Sequence, residues 1–123
     1  AVVASAVAAA KAVSAASIGA ASVQPLPTIV AACAGAKTVV GIEGSHLIHG
    51  VNVLPPGGSL LVLQPPNRFL CFFKYLTDRD HQNFGFVVGI AQGDGFRIDP
   101  DEVERTLDLF PASYEDLDRY GSL

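Results

Sequence analysis

Apolar and polar positions alternate in blocks along this chain, and each block has its own period. Residues 3–16 are mostly Ala with Val and Ser, strong or neutral helix formers, and predict a helix. Ser17-Ile18-Gly19 breaks that run, and Ala20 to Val23 is a weak strand. Pro25 and Pro27 mark a turn before a short helix over 28–34, with Gly35 placed to end it. Lys37 to Ile42 (KTVVGI) is short, apolar and β-branched, which predicts a strand. Glu43-Gly44-Ser45 turns the chain, Ser45 supplies a helix N-cap, and the helix runs to about Leu54, where Pro55-Pro56-Gly57-Gly58 stops it.

The second half continues in the same way. Ser59 to Leu63 (SLLVL) is apolar without alternation, the mark of a strand covered on both faces. Pro65-Pro66 closes it. Asn67 is placed to cap a helix whose inner face is Phe69, Leu70, Phe72, Phe73 and Leu76, spaced as one helical stripe. A polar loop, Asp78 to Asn83, leads to a buried strand over Phe84 to Ile90 and a turn at Gly93-Asp94-Gly95. Asp99-Pro100-Asp101-Glu102 is a helix start with an acidic cap, Pro at the first helical position and Glu three residues on; Val103, Leu107 and Phe110 form its inner stripe. Residues 112–123 are an acidic tail.

Helices and strands thus alternate with short connections. That order predicts an α/β fold: a Rossmann-like parallel sheet of about four strands flanked by helices. The rival is an α+β antiparallel meander from Lys37 to Ile90, which the helical spacing from Phe69 to Leu76 disfavours.

Composition bounds the function. The 123 residues make one domain, 50% hydrophobic, with a charged fraction of 16%, unlike a disordered tail. Two cysteines, Cys33 and Cys71, cannot staple a fold of this size, and their apolar contexts predict inert core thiols. Eight basic residues against twelve acidic ones exclude a generic nucleic-acid surface. Residues 12–36 carry no charge, but they are Ala, Ser and Gly interrupted by Gln24, Pro25 and Pro27, so no membrane span is expected. Lys11 lies inside the apolar segment rather than before it, which is not the layout of a signal peptide; the expected location is the cytoplasm. The chain has no Met, so it is read as an excerpt or processed product of something longer. Eleven of the twelve acids follow Thr77, and Glu43 stands alone in a nearly uncharged middle.

In open parallel sheets ligands bind beyond the C-terminal ends of the strands. Three loops qualify, beginning at Glu43, Gln64 and Ala91, and the first is the richest in chemistry. Gly44 allows close backbone approach, and Ser45 would open a helix whose free N–H groups favour a phosphate by about 0.3–1 kcal/mol. His46 and His49, three apart on one helix face, can each donate to a phosphate or a sugar hydroxyl. A Gly-Ser pair after a strand also makes an ordinary turn with no ligand, and Glu43 can simply cap backbone amides. The two histidines lack a third ligand at zinc-type spacing, so no metal is expected. The Gly-x-Ser-x-Gly elbow, the dinucleotide fingerprint and the P-loop are all missing.

The run VVGIEGSHLIHGVNVLPPGGSLLVLQPP resembles the C-terminal, donor-side region of glycosyltransferase family 61. The family pattern there is a small-residue helix ending in Ala, a strand, a His-Gly-Ala-x-Leu-x-Asn-like turn, then Pro-Pro-Gly and an apolar strand. Here the lead-in is Ile29 to Ala36, the turn is Glu43 to His49, and the exit is Leu54 to Ser59; the likeness extends from about Pro25 to Phe110. Glu43 stands where the commoner motif has His, His49 where it has Asn, and Val62 or a neighbour where many members have Glu. These departures point to a variant subgroup with a different donor, or to a domain without catalysis.

The resemblance implies half of a two-domain, GT-B-type, inverting and metal-independent glycosyltransferase. Its donor-binding residues would be Glu43, Gly44, Ser45, His46, His49 and Gln64. The nucleotide-sugar is then a substrate, no cofactor is implied, and a glycan or protein acceptor would be held by an N-terminal domain for which 123 residues leave no room. No catalytic base is assigned. Two other readings stand beside it: a non-catalytic α/β module that binds a partner protein through exposed apolar surface, and a secreted antiparallel protein with a Cys33–Cys71 disulfide.

Overall fold

A computed structural model describes residues 26–111. The expected helix at 3–16, the weak strand at 20–23 and the acidic tail at 112–123 lie outside the described residues. Within them the chain forms helix α1 (Leu26–Cys33), strand β1 (Thr38–Ile42), helix α2 (Leu47–Val53), strand β2 (Ser59–Gln64), helix α3 (Phe72–Arg79), strand β3 (Asn83–Val88), a hairpin of β4 (Ile90–Gln92) and β5 (Gly95–Arg97), and helix α4 (Pro100–Asp108).

The first three strands form one parallel sheet in the order β1-β2-β3. Val39 pairs with Leu60 and Leu60 with Phe84; Gly41 pairs with Val62 and Val62 with Phe86. The antiparallel meander is therefore excluded, and the fold is α/β with helices on both faces of the sheet.

β2 is central, and every residue in it is buried. Its side chains divide between two cores, as the strand period requires. Leu60 and Val62 meet Leu47, Val51 and Leu54 of α2 and its exit and Phe73 of α3. Leu61 and Leu63 meet Val87 and Val103, with Ile98, Leu107 and Phe110 packed alongside. α2 and α3 share a face because both crossovers step the same way along the sheet, and the handedness of such connections leaves one choice. α4 covers the other face. α1 lies against α2. Each buried leucine or valine of β2 contributes about 1.5–3 kcal/mol by leaving water.

The contact between α2 and β1 is unusually close. Gly41 lies under the Leu47 side chain and Gly50 under Val39, so a Cβ at either glycine would collide with its neighbour. α4 begins as expected: Asp99 Oδ1 accepts the N–H of Asp101 at 3.0 Å, with Pro100 at the first helical position.

Several expectations change, beginning with the first helix, which starts at Leu26 and takes Pro27 into its first turn rather than following it. The helix placed over 69–76 starts only at Phe72, with Cys71 at its N-cap position and not Asn67. Phe69, Leu70 and Phe72 are exposed; Phe73 and Leu76 alone keep the inward face. The reason is Gln64, whose amide engages both backbone groups of Leu70 and fixes that residue outside a helix. The strand expected over 84–90 ends at Val88. The Phe96 ring packs against the Gly89 α-carbon and the chain folds into the β4–β5 hairpin, whose turn takes a positive φ at Gly93. Cys71 is exposed and Cys33 half-buried, so neither is the core thiol its apolar context suggested.

Candidate functional site at the sheet edge

The C-terminal ends of β1, β2 and β3 form one edge, extended by a ladder bond on each side of β2. Glu43 N–H donates to Leu63 O at 2.9 Å, and Gly89 N–H to Gln64 O at 2.8 Å. The loops after β1 (43–46) and β2 (65–71) stand side by side on this edge.

Glu43, Gly44, Ser45, His46 and His49 come together in the first loop and the start of α2. The helix begins at Leu47 and runs for 7 residues, with His46 in the N-cap position and no side-chain cap bond. Ser45 is not the cap that its sequence position suggested. Leu47 anchors over Gly41, and the chain before it winds as a tight turn: Gly44 O, Ser45 O and His46 O accept the N–H groups of Leu47, Ile48 and His49 at 3.2, 3.2 and 3.4 Å. The donors expected at the helix start are thus engaged internally. The N–H groups of Gly44, Ser45 and His46 have no acceptor among the described residues. The His46 ring folds over Gly44, and a Cβ there would meet its Nδ1 and Cε1 at 2.8 Å.

Glu43 is not alone. Arg68, from the β2–α3 loop, donates through Nη2 to Glu43 Oε2 at 2.9 Å. The side chains are 8% exposed for Glu43 and 61% for Arg68, so the carboxylate lies beneath and the guanidinium faces water.

Gln64 sits apart from the other predicted residues in its role. It is fully buried, its Nε2 donates to Leu70 O at 2.7 Å, and its Oε1 accepts the Leu70 N–H at 3.3 Å. Its amide is committed to the chain, so it shapes the loop rather than offering polar atoms at the edge. Phe69 packs edge-on against Phe86 of β3, ring centroids 4.9 Å apart. Consecutive residues therefore fasten this loop to all three strands: Arg68 to the exit of β1, Leu70 to the end of β2, and Phe69 to β3.

Arg68 and Phe69 were missed in the sequence. The signal for Arg68 was present: it is the one Arg or Lys between Lys37 and Lys74, as Glu43 is the one acid before Asp78. Two lone opposite charges that leave neighbouring strands at the same edge tend to meet.

Among the described residues no group of three His, Cys, Asp or Glu side chains is arranged to hold a metal ion. None of their helices is long and apolar enough to cross a membrane. The edge offers backbone amides without acceptors, the His46 imidazole and a cation held by a carboxylate, a set suited to binding an anionic group. No known protein family, curated protein or solved structure matches the chain.

Proposed function

We propose that this chain is the nucleotide-sugar donor-binding region of an inverting glycosyltransferase, which transfers a sugar to a glycan or protein acceptor held by a domain outside these residues. The observation that carries the reading is the position of the Glu43–His49 motif, at the C-terminal edge of a parallel sheet, where such folds bind nucleotides. The motif's resemblance to glycosyltransferase family 61 supplies the reaction. Gly44, Ser45 and His46 bring backbone N–H groups without acceptors, and His46 and His49 bring ring donors. Glu43 alone would repel a diphosphate; paired with Arg68, it does not carry that penalty. Gln64 serves the site by holding the β2–α3 loop. Transfer needs both substrates in line, so the acceptor side and the base belong to the other domain of a GT-B-type enzyme.

Calorimetric titration with UDP and UDP-sugars tests this. Saturable binding that Ser45→Trp abolishes supports the reading; binding unchanged by Ser45→Trp places the ligand elsewhere.

A second reading, a non-catalytic module that binds a partner protein, is favoured by large apolar side chains left exposed, among them Phe69 and Phe86, which pack together, and Leu70, Phe72, Tyr75 and Val88. Absence of UDP binding together with loss of that exposure in a complex would select it. The secreted, disulfide-linked reading loses both its supports, since the sheet is parallel and both cysteines are free.

A further inference from the structure

We propose that Arg68 is the residue that contacts the anionic group of the ligand, a phosphate or pyrophosphate, and that Glu43 is the positioning residue that holds it there. This deepens the donor-site reading and rests on it. Arg68 gives Glu43 one bond, from Nη2 to Oε2. A guanidinium has five N–H donors in a planar fork, so the edge turned from Glu43 remains for a second oxygen-rich group. Its side chain is 61% exposed while the carboxylate beneath is 8% exposed, so an anion arriving from solvent meets the cation first.

The loop that carries Arg68 is itself held. Phe69 packs on Phe86 and Leu70 is bonded twice by the buried Gln64. A long side chain fixed at its base by these two contacts and at its tip by Glu43 loses little further freedom when it binds. Glu43, Gly44, Ser45, His46, His49 and Gln64 include no Arg or Lys, so Arg68 is the one permanent cation that this constellation has against an anion.

The test compares inorganic pyrophosphate, UDP and uridine on the whole chain and on Arg68→Ala, Glu43→Ala and Glu43→Gln. Arg68→Ala is expected to weaken pyrophosphate and UDP about tenfold or more, the scale of a charge-assisted bond, and to leave uridine unchanged. Glu43→Ala is expected to weaken pyrophosphate several-fold although it removes a negative charge, and Glu43→Gln, which keeps an acceptor for Nη2, restores most of the loss. Equal UDP and pyrophosphate affinity in Arg68→Ala and the parent overturns the contact while leaving the donor site standing. Tighter pyrophosphate binding in Glu43→Ala overturns the positioning role. A parent chain that binds neither UDP nor pyrophosphate overturns the contact and the donor site together.

Discussion

Arg68 Nη2 reaches Glu43 Oε2 at 2.9 Å across 25 positions of sequence, and this bond joins the loops after β1 and β2. With Arg68 61% exposed, most of the attraction is screened, and the pair is worth about 1 kcal/mol or less to the fold. Urea unfolding should therefore show Arg68→Ala less stable by about that amount, with the difference shrinking in about 1 M salt. An Arg68→Ala variant as stable as the parent at low salt would show that Glu43 needs no cation.

Gln64→Leu should loosen the β2–α3 loop. The buried amide bonds both backbone groups of Leu70, and leucine at that position removes both bonds; because Leu70 is exposed, water replaces them, and the loss is about 0.5–1.5 kcal/mol per bond. Hydrogen exchange gives a local readout: the Leu70 amide should exchange much faster in the variant, and the amides of β2 should not. Unchanged protection of Leu70 would mean that the loop is held by Phe69 and Arg68 without it.

Gly41→Ala should cost about 1–3 kcal/mol, because the new methyl meets the buried Leu47 side chain. Leu47→Ala alone should cost about 2–5 kcal/mol through the cavity it leaves. The two together should cost less than their sum, since the added methyl enters the space that Leu47 vacates. Strict additivity in thermal or urea unfolding would contradict this close contact.

The two thiols should react at different rates. Burial raises the Cys33 thiol above its ordinary pKa, which keeps the reactive thiolate scarce, whereas Cys71 is exposed. At about pH 8, near the ordinary thiol pKa, iodoacetamide should modify Cys71 first. The gap should narrow as pH rises and Cys33 ionises. Equal rates at that pH would place Cys33 at the surface.

Much of this fold is legible in the sequence because its signals are local. SLLVL without alternation gives the doubly covered β2, and Asp99-Pro100 gives the start of α4 through a cap bond two residues long. The misplaced elements depend on partners far away in sequence. Phe69 and Leu70 have helical spacing, but Gln64 fixes Leu70 outside the helix and Phe86 receives Phe69. Phe84 to Ile90 has the composition of one strand, and Phe96 packing on Gly89 splits it. At the site, the Glu43–His49 loop is where the chain pattern placed it. The Ser45 cap is not, because Leu47 seating over Gly41 sets where α2 begins. The charge on Glu43 was visible, but its cation comes from another loop and is found only by asking which lone opposite charges leave adjacent strands.

The most direct measurement of the donor-site account is a UDP titration of the folded chain followed by amide chemical shifts. The account predicts saturable shifts concentrated at Gly44, Ser45 and His46, with a companion shift at Arg68, and none along α4 on the opposite face. Shifts that stay flat throughout at these residues, or that gather around Phe72 and Tyr75 instead, would contradict it.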